Sequence, residues 1–177
     1  LVLVCALAAP PSRAASANFE ALDARLKSPP PHPRLFFGKQ DVQTLKTRIG
    51  GDPRLEGVFR HIQESADGMR DVDTLEREKV GRRLLGISRT CLKRISYLAF
   101  MHRLTGENAY LNTAEREMLA VSAFEDWNPS HFLDVAEMTA ALAIGYDWLY
   151  EGLSTEARNA VRAAIVEKGL RTSQEGG

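Results

Sequence analysis

The sequence predicts an all-α protein assembled from antiparallel helical hairpins. Three observations lead there. Apolar residues recur at spacings of three and four through most of the chain, and nowhere do they alternate with period two for more than a few positions. Beyond Arg34 only Pro53 and Pro129 remain, each where a helix would begin. The segments between the periodic stretches are short, and a short connection turns the next helix back against its predecessor. Side chains do not repeat with a period of about 34 or 40 residues, which disfavours a standard solenoid.

The 177 residues carry 23 Lys+Arg and 23 Asp+Glu and are 44% hydrophobic. That is the balance of a globular domain with a sizeable core, and it excludes a disordered or collagenous chain. Equal charge of both signs leaves no basic excess for a phosphate backbone or an anionic lipid surface, so nucleic acid and membrane are not expected partners.

The apolar run Leu1–Ala9, closed by Pro10-Pro11 and followed by Ala15-Ser16-Ala17, reads as an export signal with a small-x-small cleavage pattern. It is far shorter than the ~20 residues a membrane-spanning helix needs. The run lacks Met and a basic start, so residues 1–17 read as part of a signal, and the mature protein is expected in the periplasm or medium. Processing removes Arg13 and no acid, so near-neutrality survives. It also removes Cys5, leaving Cys91 as the one thiol, expected as a buried apolar side chain. Residues 18–34 end in Ser28-Pro29-Pro30-Pro31-His32-Pro33-Arg34, an extended Pro-rich arm. Residues 35–177 follow as the helical domain.

The first helix is predicted over Lys39–Ile49, with Val42, Leu45 and Ile49 on one face and Gly50-Gly51 as its stop. The second has Asp52 as N-cap and Pro53 at its first position, and carries Leu55, Val58, Phe59 and Ile62 on a stripe reaching Met69. Residues 70–86 are charged and weakly patterned, giving a faint helical signal. The third helix spans Ser88–Leu104 and stops at Gly106; the fourth covers Ala109–Phe124. The fifth runs His131–Tyr150 with Ser130 as N-cap, and the sixth starts from the N-cap Ser154 and reaches Gly169.

The fifth helix carries the functional candidates. It is apolar nearly all the way round, as a helix surrounded by others must be. Yet it holds Asp134 and Glu137 three residues apart, a like-charge pair that needs partners or water. Two explanations stand: both carboxylates line a wet ligand cleft, or they pair with Arg or Lys from a neighbouring helix. Six of the thirteen aromatic residues fall between Phe124 and Tyr150. Among them Trp127, Tyr146 and Trp148 serve either as packing or as sugar-stacking platforms. His131 near the positive end of the helix dipole favours the neutral imidazole, in a structural or a catalytic hydrogen bond. The four histidines show no HExxH or paired spacing, so no metal or cofactor is predicted; GxSxG, Gly-rich phosphate loops and CxxC are also absent from the sequence.

Three stretches resemble the N-terminal helical domain of the heparinase II/III-like polysaccharide lyases, a family that includes alginate lyases. They are His32-Pro33-Arg34-Leu35-Phe36-Phe37, Trp127-Asn128-Pro129-Ser130-His131-Phe132-Leu133-Asp134, and Ala143-Ile144-Gly145-Tyr146-Asp147-Trp148-Leu149-Tyr150 with Leu153-Ser154. The resemblance implies part of an incomplete (α/α) toroid, joined in full-length relatives to a C-terminal β-sandwich. It also implies an acidic polysaccharide substrate cut by β-elimination. The catalytic Asn, Tyr and His of the family are then expected beyond Gly177, and Trp127, Asn128, His131, Asp134, Glu137, Tyr146 and Trp148 are expected to contact substrate. A non-catalytic carbohydrate-binding or scaffold domain is the alternative. An α/α-toroid glycoside hydrolase is a weaker one, because Asp134 and Glu137 on adjacent turns of one helix cannot flank a glycosidic bond.

Overall fold

Start and stop signals in the sequence set three of the helix boundaries. The computed structural model describes residues 27–172. The expected signal sequence, residues 1–17, lies outside the described residues, as does the first part of the Pro-rich arm. Six helices are present among the described residues: α1 (Asp41–Gly51), α2 (Pro53–Asp67), α3 (Leu85–Thr105), α4 (Asn108–Ser122), α5 (Phe132–Leu149) and α6 (Thr155–Ala164), the last continuing as a π-helix over Ile165–Arg171. The described residues contain no strand, only a bridge between Val80 and Arg83. None of their helices is long and apolar enough to cross a membrane.

Asp52 accepts from the Arg54 backbone N–H at 2.8 Å with Pro53 at the first position of α2, and Ser154 Oγ accepts from Ala157 N–H at 3.0 Å. Gly106 ends α3 in the left-handed region at φ 78°, where a Cβ would be strained. Gly50-Gly51, by contrast, do not break α1. Both are helical, and the extended backbone of Asp52 makes the turn. The start of α5 also differs: His131, not Ser130, holds the cap position, while Ser130 Oγ donates to Asn128 Oδ1.

The faint helical signal over 70–86 resolves into irregular chain up to Leu84. No apolar stripe draws this segment into a helix, and side chains of the neighbouring helices satisfy its backbone instead. Leu75 N–H donates to Glu117 Oε1 at 3.0 Å, Arg94 donates to the Asp73 carbonyl at 2.9 Å, and Arg77 pairs with Asp126 at 2.6 Å.

The contacts fix the direction of every packed helix. The most extensive interface joins α3 and α5. Along it Leu84 meets Asp134, Ser88 meets Glu137, Ile95 meets Gly145 and Phe100 meets Trp148, so the two helices run parallel. The same holds for α4 and the α6 segment, where Glu115 meets Ser154 and Ser122 meets Lys168. Short loops make α3/α4 and α5/α6 antiparallel hairpins, so α3 and α5 form one layer and α4 and α6 a second. The α1/α2 hairpin joins mainly through α2 on α3. Lys168 Nζ donates to the carbonyls of Ser122 and Phe124, satisfying free acceptors at the end of α4; burial lowers its pKa from the usual lysine range.

The core between the layers holds Ile95, Leu98, Met101, Tyr110, Met118, Met138 and Leu142, all fully buried. Cys91 lies among them, and burial pushes its thiol well above the ordinary value, consistent with the apolar role expected of it. Gly145 is where α5 comes closest to its neighbours: a Cβ there would stand 2.6 Å from Ile95 Cγ2 and 2.7 Å from Met118 Sδ.

Two glycine substitutions should therefore move stability in opposite directions. Gly145→Ala overpacks the core and should cost about 1–3 kcal/mol in urea melts. Gly57→Ala, inside α2 with nothing within 4 Å of the new Cβ, should stabilise by about 0.4–1 kcal/mol. An unchanged midpoint for Gly145→Ala would contradict the close packing of α5.

Candidate functional site

The seven residues singled out in the sequence do not form one cluster. Asp134 and Tyr146 are twelve positions apart on α5, about 18 Å along the axis at 1.5 Å per residue. Five of the seven gather at the start of α5, and Tyr146 and Trp148 at its end.

The group at the start of α5 is built as a buried network. Asp134 has no solvent exposure. Its Oδ2 accepts from Leu84 N–H and from Asn128 Nδ2, both at 2.7 Å, and His131 Nδ1 lies 3.0 Å from its Oδ1. Asn128 is buried at φ 60° and also donates to the Arg82 carbonyl. Trp127 is fully buried, with its indole N–H donated to the Val121 carbonyl. Glu137 accepts from Ser88 Oγ at 2.7 Å and lies 3.4 Å from Arg89 Nε.

Asp134 and Glu137 thus both have hydrogen-bonding partners within the protein. Glu137 has the expected Arg from the neighbouring helix, whereas Asp134 takes a backbone N–H, an amide and an imidazole. Trp127, Asn128 and Asp134 are all buried, each with its polar group hydrogen-bonded inside the protein. Burial by itself raises the Asp134 pKa, but the hydrogen bonds from Asn128, Leu84 and His131 outweigh it and hold the carboxyl below its ordinary value. Asp126 shows the same balance, with burial opposed by Arg77 and the Asn128 N–H, and it too is lowered.

The end of α5 is different in kind. Asp147 is buried, and its Oδ2 accepts the backbone N–H groups of Arg34 at 2.7 Å and Leu35 at 2.8 Å. Its Oδ1 lies 2.6 Å from His32 Nδ1. Prolines cannot donate, so the arm reaches this carboxylate with the first N–H groups after Pro33, next to the cis His32-Pro33 bond. Trp148 donates its indole N–H to the Leu35 carbonyl at 3.0 Å, and Phe36 and Phe37 meet its ring edge-on. Arg103 sits 3.8 Å over the Phe37 ring and donates to the carbonyls of Phe37 and Gly38; burial lowers its pKa, opposed by Asp147 and Asp41.

His32 stands where two open cavities meet. One, of about 310 Å³, is lined by His32, Lys39, His102, Arg103, Trp148 and Tyr150 among others. The other, of about 400 Å³, is lined by His32, Arg34, Tyr146, Tyr150 and Arg162 with Ile165 and Val166. The His32 ring stacks on Tyr150 at 4.0 Å and meets Tyr146 edge-on at 5.7 Å. Its Nε2 lies 2.6 Å from an Arg34 guanidinium nitrogen. Arginine only donates and a carboxylate only accepts, so these partners select the neutral imidazole with its proton on Nδ1.

Of the sequence candidates, Tyr146 and Trp148 therefore line open cavities. The residues that join them, His32, Arg34, Asp147, Tyr150 and Arg162, were not among the seven candidates, although all but Arg162 lie in the stretches that resemble the lyases. Asp147 carried the signal that marked Asp134 and Glu137, a carboxylate within an apolar helix. Arg162 carried none. The described residues contain no group of three His, Cys, Asp or Glu placed to hold a metal ion.

Asp134→Ala leaves Leu84 N–H and one of the two Asn128 amide N–H groups buried without an acceptor, at about 1–3 kcal/mol for each orphaned donor. Glu137→Gln keeps an acceptor for Ser88 and weakens only a partly exposed ion pair, so it should cost under about 1 kcal/mol. Urea melts separate the two; equal losses would contradict the network. The lowered carboxyls of Asp134 and Asp126 contribute stability above the unfolded-state value, about 3.9, and lose it as pH falls through their folded values. Melts from pH 6 downward should therefore stay level until about pH 4 and then decline, more shallowly in Asp134→Asn. Compared with known proteins, the chain matches no family model and no curated sequence.

Proposed function

We propose that this chain is the sugar-contacting, N-terminal part of an exported polysaccharide lyase that cleaves uronic-acid-containing polysaccharide by β-elimination. One observation carries this reading: the cavity at the end of α5 offers two guanidiniums, two tyrosines and an imidazole, and among the described residues that line it there is no carboxylate. A uronate needs such a wall. Guanidinium pairs with a carboxylate through two parallel N–H···O bonds, and tyrosine offers both a ring face and a hydroxyl to a pyranose. β-Elimination begins by neutralising that carboxylate so that the neighbouring C–H becomes acidic.

Two further features support the reading. The three stretches that resemble the heparinase II/III-like lyases are bound to one another through α5: Asp147 ties His32–Phe37 to Ala143–Tyr150, and Asp134 secures Trp127–Asp134. Parallel α3 and α5 backed by parallel α4 and α6 are the arrangement from which an (α/α) toroid is made. The proton-transfer groups are assigned to the protein as a whole and none of them to this chain; polymer contact is assigned to the chain. The hydrolase alternative loses its acid pair, since Asp134 is buried.

Affinity electrophoresis through alginate, heparin and neutral dextran tests the binding. Retardation in the polyuronates alone is expected, weakening as salt screens the guanidiniums. Equal retardation in dextran, or none in any gel, would overturn it. Because no proton-transfer group is assigned to it, the 177-residue chain alone should form no unsaturated uronate from the retained polymer, and ultraviolet absorbance of that product from pure chain would overturn this assignment.

A further inference from the structure

We propose that Arg34 is a ligand-released cap on His32 and makes this cavity selective for carboxylated over neutral sugars. The inference rests on the carbohydrate reading above and names the recognition device of the same site.

In the structure a guanidinium nitrogen of Arg34 donates to His32 Nε2 at 2.6 Å. His32 cannot move aside. Its Nδ1–H is held by Asp147 at 2.6 Å and its ring is stacked at 4.0 Å on Tyr150. The backbone beneath Arg34 is fixed as well, because the N–H groups of Arg34 and Leu35 both donate to Asp147. Only the Arg34 side chain, which is exposed, is free to change partner. It lines the cavity together with Arg162, which projects from the exposed face of α6.

An imidazole nitrogen offers a guanidinium one neutral acceptor. A carboxylate offers two charged ones in a geometry that matches the guanidinium fork, so two parallel ion-paired bonds replace one bond to a neutral acceptor. A uronate entering the cavity thus draws Arg34 away from His32, with Arg162 sharing its charge. The lone pair of Nε2 is then open to accept a hydrogen bond from a sugar hydroxyl beside the carboxylate. A neutral sugar supplies no charge to compete for Arg34, so Nε2 stays capped and the hydroxyl finds no acceptor. Discrimination comes from two linked changes, a gained ion pair and an uncovered acceptor, where a rigid arginine would supply one.

The test titrates the full chain, labelled with ¹⁵N-histidine, with trimannuronate and with neutral mannotriose, following the His32 Nε2 resonance by NMR. Trimannuronate should bind and shift that resonance, and mannotriose should leave it in place. Arg34→Gln keeps N–H donors but no charge; it should retain the melting temperature and lose about tenfold in affinity for trimannuronate. Arg162→Ala, at an exposed position, should lose affinity too and keeps the proposal open to test should Arg34→Gln fold poorly. Binding of trimannuronate with the His32 resonance unmoved, or with both variants binding like the parent, would overturn the cap and leave the polysaccharide reading standing. Failure of any acidic sugar to bind would overturn both.

Discussion

An apolar helix cannot bury a carboxylate without bringing hydrogen-bond donors to it, and α5 buries two, Asp134 and Asp147. A helix has no spare N–H groups along its middle, since each already donates four residues back. Irregular chain does. Asp147 takes the N–H groups of Arg34 and Leu35 from the arm, and Asp134 takes that of Leu84 from the end of the irregular segment before α3. Glu117 on α4 repeats the pattern with Leu75 and adds Arg94. In each case a helix supplies the acceptor and non-helical backbone supplies the donor. The segments that lack an apolar stripe are positioned by this exchange, while the helices themselves pack by their core side chains.

The exchange explains which features of the molecule were legible in its sequence. Periodicity, Asp52-Pro53, Gly106 and Ser154 identified the helices because those signals act within a few residues of where they stand. The irregular course of residues 70–84 was not legible. Its ties to Glu117, Asp126 and Arg94 come from residues up to 49 positions away, and no local pattern encodes such a contact. The start of α5 misled for a related reason. Ser130 is a good cap by type, but Asn128 in its left-handed conformation captures the hydroxyl, and the helix begins after His131.

The candidate site was legible by half. A carboxylate inside an apolar helix signals a constraint without saying whether water or a donor meets it. At Asp134 the donors are complete and the site is closed. At Asp147 they are complete as well, but they belong to an arm that leaves the His32 ring, the Arg34 side chain, Tyr146 and Tyr150 around an open cavity. Separating the two cases requires knowing that residues 115 positions apart touch.

The division of labour within the arm follows from this. The backbone N–H groups of Arg34 and Leu35 are committed to Asp147 and hold the fold, while His32 and Phe37 pack on Tyr150 and Trp148 and the Arg34 side chain is left exposed. Phe36 stays largely exposed, at 80% with a positive φ of 63°, and Arg34 rests on an imidazole nitrogen instead of a carboxylate. Asp147 is the nearby acid that an arginine would ordinarily seek, but both its oxygens are occupied by the backbone and by His32. The carboxylate that anchors the arm is thereby withheld from Arg34. A cation kept from its natural partner inside the fold retains its affinity for one brought from outside.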